Sequence, residues 1–232
     1  NQDNVEEVTG FSLPEGFKVS IFAENLGSSN YASPGPNNGP RILKYDDNGN
    51  LFVSLTRQGK VVVLKDTDND FKADEVIEFL SNLDNPHGIA FYQDWVYIAE
   101  ESRLIRVKDL DGDLMADASS LEVLVDGLKF GGHFTRTIEI KGDKLYLSVG
   151  STCNVCVGSD ERSAAILECT LTGECTVFAR GTRNAVGLEF SNDGELYATE
   201  NSRDLLGDNL PADEVNVIES GGHYGWPFCF EN

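Results

Sequence analysis

Four stretches of the chain repeat one phrase: an apolar strand pattern, a turn carrying Gly or Asp, and a second strand centred on an aromatic residue. They read RILKYDDNGNLFVSL, HGIAFYQDWVYIAE, RTIEIKGDKLYLSV and VGLEFSNDGELYAT. Aligned on Phe52, Tyr97, Tyr146 and Tyr197, they stand 45, 49 and 51 residues apart. A period of that size filled with short strands is the mark of propeller blades, each of which must stack on a neighbour to bury its faces. Further strand patterns lie between the phrases, at Lys60 to Leu64, Val76 to Phe79, Leu104 to Val107, Leu121 to Val125, Ala165 to Cys169, Thr176 to Ala179 and Glu214 to Ile218. They bring each repeat to about four strands. Helical periodicity is nearly absent, with short turns around Ser81 and Ser119 as its only candidates. The fold expected is all-β, a β-propeller with about four blades in a single domain over residues 1–232; a pair of β-sandwiches is the competing arrangement. Residues 10–27 read as an extra strand at the ring edge, and residues 28–40, rich in Ser, Asn, Pro and Gly, as a long loop serving as connector or lid.

Composition narrows the partners. With 39 acidic against 18 basic residues the formal charge is −21, which repels nucleic acid and anionic membrane surfaces. No apolar run approaches the roughly 18 residues of a membrane-spanning helix, so neither nucleic-acid binding nor membrane insertion is expected. All five cysteines lie in the last third. Cys169 and Cys175 flank a turn and can face each other across a hairpin. Cys153 and Cys156 form a C-x-x-C that is open to a local disulfide, half a zinc site or a redox pair. This usage points to an oxidising, extracytoplasmic compartment, periplasmic or secreted. Cys229, with no evident partner, and the abrupt end of the pattern favour a larger ring, incomplete at its C-terminal side.

Two loops share the pattern D-x-D-x-D-x-x-x-D: Asp66, Asp68, Asp70 and Asp74, then Asp109, Asp111, Asp113 and Asp117. They start 43 residues apart, close to the blade period, and so occupy equivalent places in two blades. Hard oxygen ligands on alternating positions of a tight loop suit Ca²⁺ in a structural role, and an Asx-rich turn without metal is the plain alternative. Of the three histidines, His133 in GGHFTRT follows two glycines at the start of a strand, where an imidazole can face a central channel. His87 in NPHGIAF occupies the matching position one blade earlier, and His223 lies in a Gly-rich turn that it can cap. Arg136, Arg180, Arg183 and Arg203 are conspicuous in so acidic a chain; converging on a channel they would bind a polyanionic small molecule, and on the surface they would pair with carboxylates.

The ordered motifs GGHFTRTIEI…LYLSVGSTCNVC, ARGTRNAVGLEF…LYATENSRDLLGDNLPADEVNVI and GGHYGWPFC resemble those of the soluble pyrroloquinoline quinone (PQQ) dependent glucose/sorbosone, or aldose sugar, dehydrogenases, from about residue 11 to the end. The resemblance implies a six-bladed propeller that oxidises an aldose with PQQ and Ca²⁺ and passes electrons to an external acceptor. It makes His133 the general base for the sugar hydroxyl. Arg183 and Asn184 become contacts to the quinone, with Arg136 and His87 beside them. Backbone carbonyls of Ser202 and Arg203 become calcium ligands, supported by Asp213 and Glu214. In the glucose-oxidising branch an Asp orients the base; Ser151 stands there, as in the sorbosone-type branch. The later lysine and arginines that grip the PQQ carboxylates belong to blades beyond these motifs. Two rival functions use the same scaffold: a non-catalytic calcium-stabilised propeller that binds carbohydrate or protein, and a calcium-dependent lactone hydrolase.

Overall fold

The computed structural model describes residues 10–27 and 39–229. Most of the loop expected at 28–40 lies outside them. Among these residues, fifteen strands form four antiparallel sheets, each a simple meander. The first sheet holds β1 (Leu43–Tyr45), β2 (Leu51–Leu55), β3 (Lys60–Lys65) and β4 (Glu75–Leu80). The second holds β5 (Ile89–Tyr92), β6 (Trp95–Ala99), β7 (Leu104–Val107) and β8 (Glu122–Val125). The third holds β9 (Ile138–Lys141), β10 (Lys144–Val149), β11 (Ala165–Thr170) and β12 (Cys175–Arg180). The fourth has three strands, β13 (Ala185–Phe190), β14 (Leu196–Glu200) and β15 (Glu214–Ile218). The first strands are neighbours in sequence, β1 with β5, β5 with β9 and β9 with β13, so the sheets are blades of a β-propeller with these strands innermost. There is no α-helix among the described residues, only 3₁₀ turns at Thr56–Gln58 and Ala118–Ser120.

Strand alternation explains the stacking. Along β6, Val96 and Ile98 join Phe52, Val61, Val63 and Phe79 in a core between the first and second blades. Tyr97 and Ala99, on its other face, join Leu145, Leu147, Val149 and Leu167 in a core between the second and third. Likewise Ile166 of β11 turns away from Ala165 and Leu167 to meet Leu188, Leu196 and Ala198 of the fourth blade. Each period-2 strand therefore serves two cores. The recurring aromatic lies on the face toward the next blade: Phe52 at 3% and Tyr97 at 0% exposure fill cores, Tyr146 packs on the third, and Tyr197 is partly exposed on the outer face of the fourth blade.

The segment at 10–27 forms no ladder strand. Phe22, Ala23 and Leu26 instead pack on Leu51, Val53, Leu55, Val62 and Leu64, covering the first blade's outward apolar face with side chains. The turn around Ser81 is not helical. Disulfides join Cys169 to Cys175, paired residues of β11 and β12, and Cys153 to Cys156, in the loop after β10. Cys229 is free and exposed.

In a meander, the loops entering the first strand and joining the second to the third emerge at one end of the blade. We refer to that end as the upper end. The loops joining first to second and third to fourth emerge at the other end.

Leu147→Ala should destabilise the fold by about 2–5 kcal/mol in urea titration, because it opens a cavity between two blades. Val76→Ala on the exposed face of β4 should stay within about 0.5 kcal/mol.

Candidate functional site at the upper end of the blades

The entering loops share a register. Arg41, His87, Arg136 and Arg183 each stand two residues before the first strand of their blade, at Leu43, Ile89, Ile138 and Ala185. Ladder bonds agree, since Ser54 N–H donates to Ile42 O, Ala99 N–H to Gly88 O and Ser148 N–H to Thr137 O. The fold thus carries one basic side chain per blade at the same height. His87 accordingly matches Arg136 and not His133, which lies three residues further upstream.

His133 is half-buried, and its backbone N–H donates to Ser151 O at 2.9 Å. Its Nδ1 lies 3.0 Å from Ser151 O and 2.9 Å from Ser151 Oγ. A carbonyl only accepts, so Nδ1 carries the proton; Ser151 Oγ then accepts from it while donating to Cys153 O at 2.7 Å. The Nε2 lone pair is left for chemistry. Burial, followed by the positive charge of Arg183, holds this imidazole below its ordinary pKa, which keeps it a neutral base. Two glycines permit the approach. A Cβ on Gly132 would lie 2.3 Å from the Thr152 carbonyl carbon, and one on Gly150 would lie 2.6 Å from His133 Cβ and 2.9 Å from Asn184 Oδ1. Gly150 is therefore the floor on which His133 and Asn184 meet.

Arg183, 2% exposed, donates to Asn201 O, Ser202 O, Asn154 O, Asn154 Oδ1 and Asp204 Oδ2 at 2.6 to 3.1 Å. It ties the loop after β14 to Asn154, which the Cys153–Cys156 disulfide brackets and which also accepts from Trp226 Nε1. Asn184 N–H donates to Glu200 Oε1 at 3.0 Å, and its Oδ1 is buried without a hydrogen-bond partner. The second blade repeats this clasp: Asp84 N–H donates to Glu100 Oε1 at 2.6 Å, again 16 residues away. Asp213 accepts from Ser202 N–H at 2.9 Å and from the Asn201 side-chain amide at 3.2 Å, fixing the Asn201–Ser202 peptide. Glu200, Ser202, Arg203, Glu214 and Trp226 line a cavity of about 20 Å³, room for one water or one small cation. Burial pushes the Glu200 carboxyl up to about 7, and its Oε2 has no hydrogen-bond partner.

The other expected site residues are placed differently. Arg136 is fully buried and donates to the carbonyls of Glu101, Lys129, His133 and Thr135, so its guanidinium braces the His133 loop and does not face a ligand. Burial brings it down to about 10. His87, 1% exposed, makes no hydrogen bond through either ring nitrogen, and burial, then Arg41, pushes it down to about 4. Arg180 forms a surface ion pair with Glu161. His223 Nδ1 accepts from Gly225 N–H and caps its turn.

Both Asp-rich loops lie at the opposite end of the blades, between third and fourth strands. They repeat the same bonds at equivalent positions: Asp66 and Asp109 accept from the N–H groups of Phe71 and Leu114, and Asp74 and Asp117 from those of Thr67 and Leu110. Oxygens of Asp66, Asp68 and Asp74, and of Asp109, Asp111 and Asp117, converge within 4.8 Å. Asp70 and Asp113 stand outside these trios and accept from Lys72 and Met115 N–H. Repulsion, chiefly from Asp113, raises the Asp111 pKa.

A family described as "Domain of unknown function (DUF7133)" matches residues 5–222. The chain belongs to this family. An uncharacterized protein of Borreliella burgdorferi is 29% identical to this DUF7133 chain over 240 residues, 97% of the chain and 59% of the relative, so the chain spans about six-tenths of that relative's length. Among solved structures, the calcium structure of a Trichoderma reesei carbohydrate-active enzyme of family AA12 matches with a TM-score of 0.75 at 20% identity, covering 91% of the chain and 58% of the neighbour. The holo PQQ domain of pyranose dehydrogenase from Coprinopsis cinerea gives 0.71 at 21%, covering 82% and 54%. The PQQ-bound aldose sugar dehydrogenase from Streptomyces coelicolor gives 0.64 at 22%, covering 82% and 63%. At these identities the likeness establishes the shared propeller fold.

Sequence reading missed Asn154, Glu200, Arg41 and Phe134. The signals available were the cysteines around Asn154 and the common position of Arg41 two residues before a first strand.

Histidine NMR should find His133 as the Nδ1–H tautomer with a pKa below about 6.5. The neutral form then persists to lower pH than in a free histidine. Arg183→Gln should move that pKa upward.

Proposed function

We propose that this chain is the site-bearing part of a PQQ- and Ca²⁺-dependent dehydrogenase acting on an aldose or related sugar, with an external electron acceptor. The observation that carries the reading is the neutral, Nδ1-protonated His133 beside the buried, unpartnered Asn184 Oδ1, the two brought together over Gly150, where no Cβ would fit. The orphaned Asn184 Oδ1 beside a neutral base suits a ligand that brings its own polar atoms, as a quinone with a bound cation would. The cavity beside Ser202, with the unpartnered Glu200 Oε2 on its wall, suits one cation.

Asn184 would hold the quinone edge, and the Ser202 and Arg203 carbonyls the calcium, with Asp213 and Glu214 supporting that loop. Arg183 uses one lone pair of Ser202 O and leaves the second. When bound, PQQ with Ca²⁺ supplies a polarised carbonyl able to take a hydride from the sugar's C1. His133 Nε2 takes the proton of the C1 hydroxyl, and Ser151 steadies the imidazolium through Nδ1. Arg183 sits near enough to keep His133 deprotonated between turnovers and to tie the two loops together. Arg136 and His87 act beneath, Arg136 through the carbonyls of the His133 loop. The disulfides accord with an extracytoplasmic location; no helix among the described residues is long and apolar enough to cross a membrane. At the far end, each Asp trio holds a structural calcium.

Protein reconstituted with PQQ and Ca²⁺ should reduce a redox dye with one or more aldoses. His133→Ala should lower kcat by roughly 10²–10⁴-fold while PQQ still binds; no quinone binding and no turnover would overturn the reading. Asp66→Asn and Asp109→Asn should each remove one bound calcium in a metal titration. Chelation should lower Tm by roughly 5 °C while leaving the Ser151–His133 contact intact.

A further inference from the structure

Of the three junctions between the described blades, two are closed at the end opposite His133. Five residues after Arg41, His87 and Arg136 stand Asp46, Tyr92 and Lys141, one position in three successive blades. Lys141 reaches from the third blade to the fourth: its Nζ lies 4.4 Å from the Phe190 ring centroid and donates to Gly194 O at 3.0 Å. Tyr92 packs on the core between the second and third blades, as does Trp95. Arg106 lies over the Trp95 ring at 4.2 Å and donates to Leu171 O of the third blade at 3.0 Å. Asp46 does nothing of the kind. It turns back on its own hairpin and accepts from Asn48 N–H, Asn50 N–H and the Asn50 side-chain amide at 2.7 to 3.0 Å. The junction between the first and second blades is left as an open groove of about 530 Å³, within the size range of small-molecule sites.

The groove has an apolar floor and a polar rim. Phe52, Phe79 and Phe91 lie at its base, with the Phe79 and Phe91 ring centroids 5.0 and 4.9 Å from that of Phe52. Phe91 and Leu114 are only partly buried. Strand alternation carries the same faces outward to polar residues, from Phe52 to Asn50 and from Val63 to Lys65. The side chains of Asp47, Asn48, Lys65 and Gln93 make no hydrogen bond or ion pair among the described residues. Gln93 is held at φ +52°, where the matching hairpin of the third blade has Gly142 at +62°. The second blade thus keeps a side chain in a conformation that disfavours one. Asp46, Asp47, Asp94 and Asp109 line the groove against the single ammonium of Lys65, a balance that repels an anion. Phe52 and Phe79 are 3% and 2% exposed, so no open cage of rings awaits an organic cation.

We propose that this groove is a binding site for a short neutral oligosaccharide, separate from the site at His133. A pyranose presents an apolar C–H face and a rim of hydroxyls that both donate and accept. Phe91 and Leu114 match the face, and the unengaged carboxylate, amides and ammonium match the hydroxyls. The inference stands apart from the dehydrogenase reading, since no groove residue belongs to the loops that enter the blades.

The test is calorimetric and NMR titration of the wild-type protein with methyl β-cellobioside and methyl α-maltoside, neutral glycosides that have no free C1 hydroxyl to be oxidised. D-Glucuronate and choline serve as the anionic and cationic probes. At least one glycoside should bind saturably and shift the side-chain amide signals of Asn48 and Gln93. Asp47→Asn and Gln93→Gly should each weaken that binding by about 2- to 10-fold. Asp46→Lys, which copies the closing lysine of the third blade, should abolish it. None of the three should change dye reduction with a monosaccharide, and His133→Ala should bind the glycoside as the wild type does. Failure of the wild type to bind either glycoside, glycoside binding unchanged in all three variants, or tighter binding of glucuronate or choline overturns the site. If Asp46→Lys fails to fold, the Asn48 and Gln93 amide shifts in the wild type decide the matter, and their absence with both glycosides overturns it. Glycoside binding without quinone-dependent turnover leaves the groove and removes the dehydrogenase; turnover without glycoside binding does the reverse.

Discussion

The structure depends on apolar contact between neighbouring blades. No sheet here buries both faces by itself, and each middle strand of the first three blades contributes alternate side chains to the cores on its two faces. Blade position and blade stability are therefore one quantity. Moving a blade strips half of two cores, which is why the loops at the blade ends can be irregular without loss of their mutual geometry. The third-blade loop that carries His133 and the fourth-blade loop that carries Asn184 meet because β9 and β13 pack side by side.

A second layer of order is polar and sits above those cores. Glu100 and Glu200 are buried carboxylates at the ends of the second strands of alternate blades, and each receives a backbone N–H from the loop entering its own blade. Arg136 and Arg183 are buried guanidiniums that gather carbonyls from two loops apiece. A charge in such a place is tolerated only when nearby dipoles surround it, and once surrounded it fixes those loops in one arrangement. These two arginines are internal braces, whereas Arg103, Arg106, Arg162 and Arg180 pair with carboxylates nearer the surface. Arg41, over the Phe134 ring and outside any ion pair among the described residues, is the contrasting case.

Much of this was legible from residues alone. Phe52, Tyr97 and Tyr146 mark second strands because a large aromatic at the interface sets the spacing of two sheets, and Tyr197 takes the same position in the fourth blade. The Leu104 to Val107 and Glu214 to Ile218 strands fall where their alternation places them. The Cys169 and Cys175 pairing followed from a turn of fixed length. Other features were not legible. Residues 10–27 alternate like a strand, but their apolar side chains are satisfied by lying on the first blade without a ladder. His87 and His133 share a glycine neighbour, a local signal, while their register depends on where a strand begins. The partners of Arg136 and Arg183 are backbone carbonyls, which every residue possesses and which no composition reveals. The role of Ser151 needed its hydroxyl and its carbonyl to be seen beside the same ring nitrogen.

The meander gives the molecule two chemically different ends. The His133, Arg183 and Arg41 loops all emerge where the first strands begin, and the Asp66 and Asp109 loops emerge where the third strands finish. Whatever the acidic loops touch, whether an ion, a mineral surface or a neighbouring molecule, approaches from the side away from the imidazole. The two ends are separated by the length of a blade, so a chain immobilised through its acidic loops would present the His133 end outward to the surrounding solution.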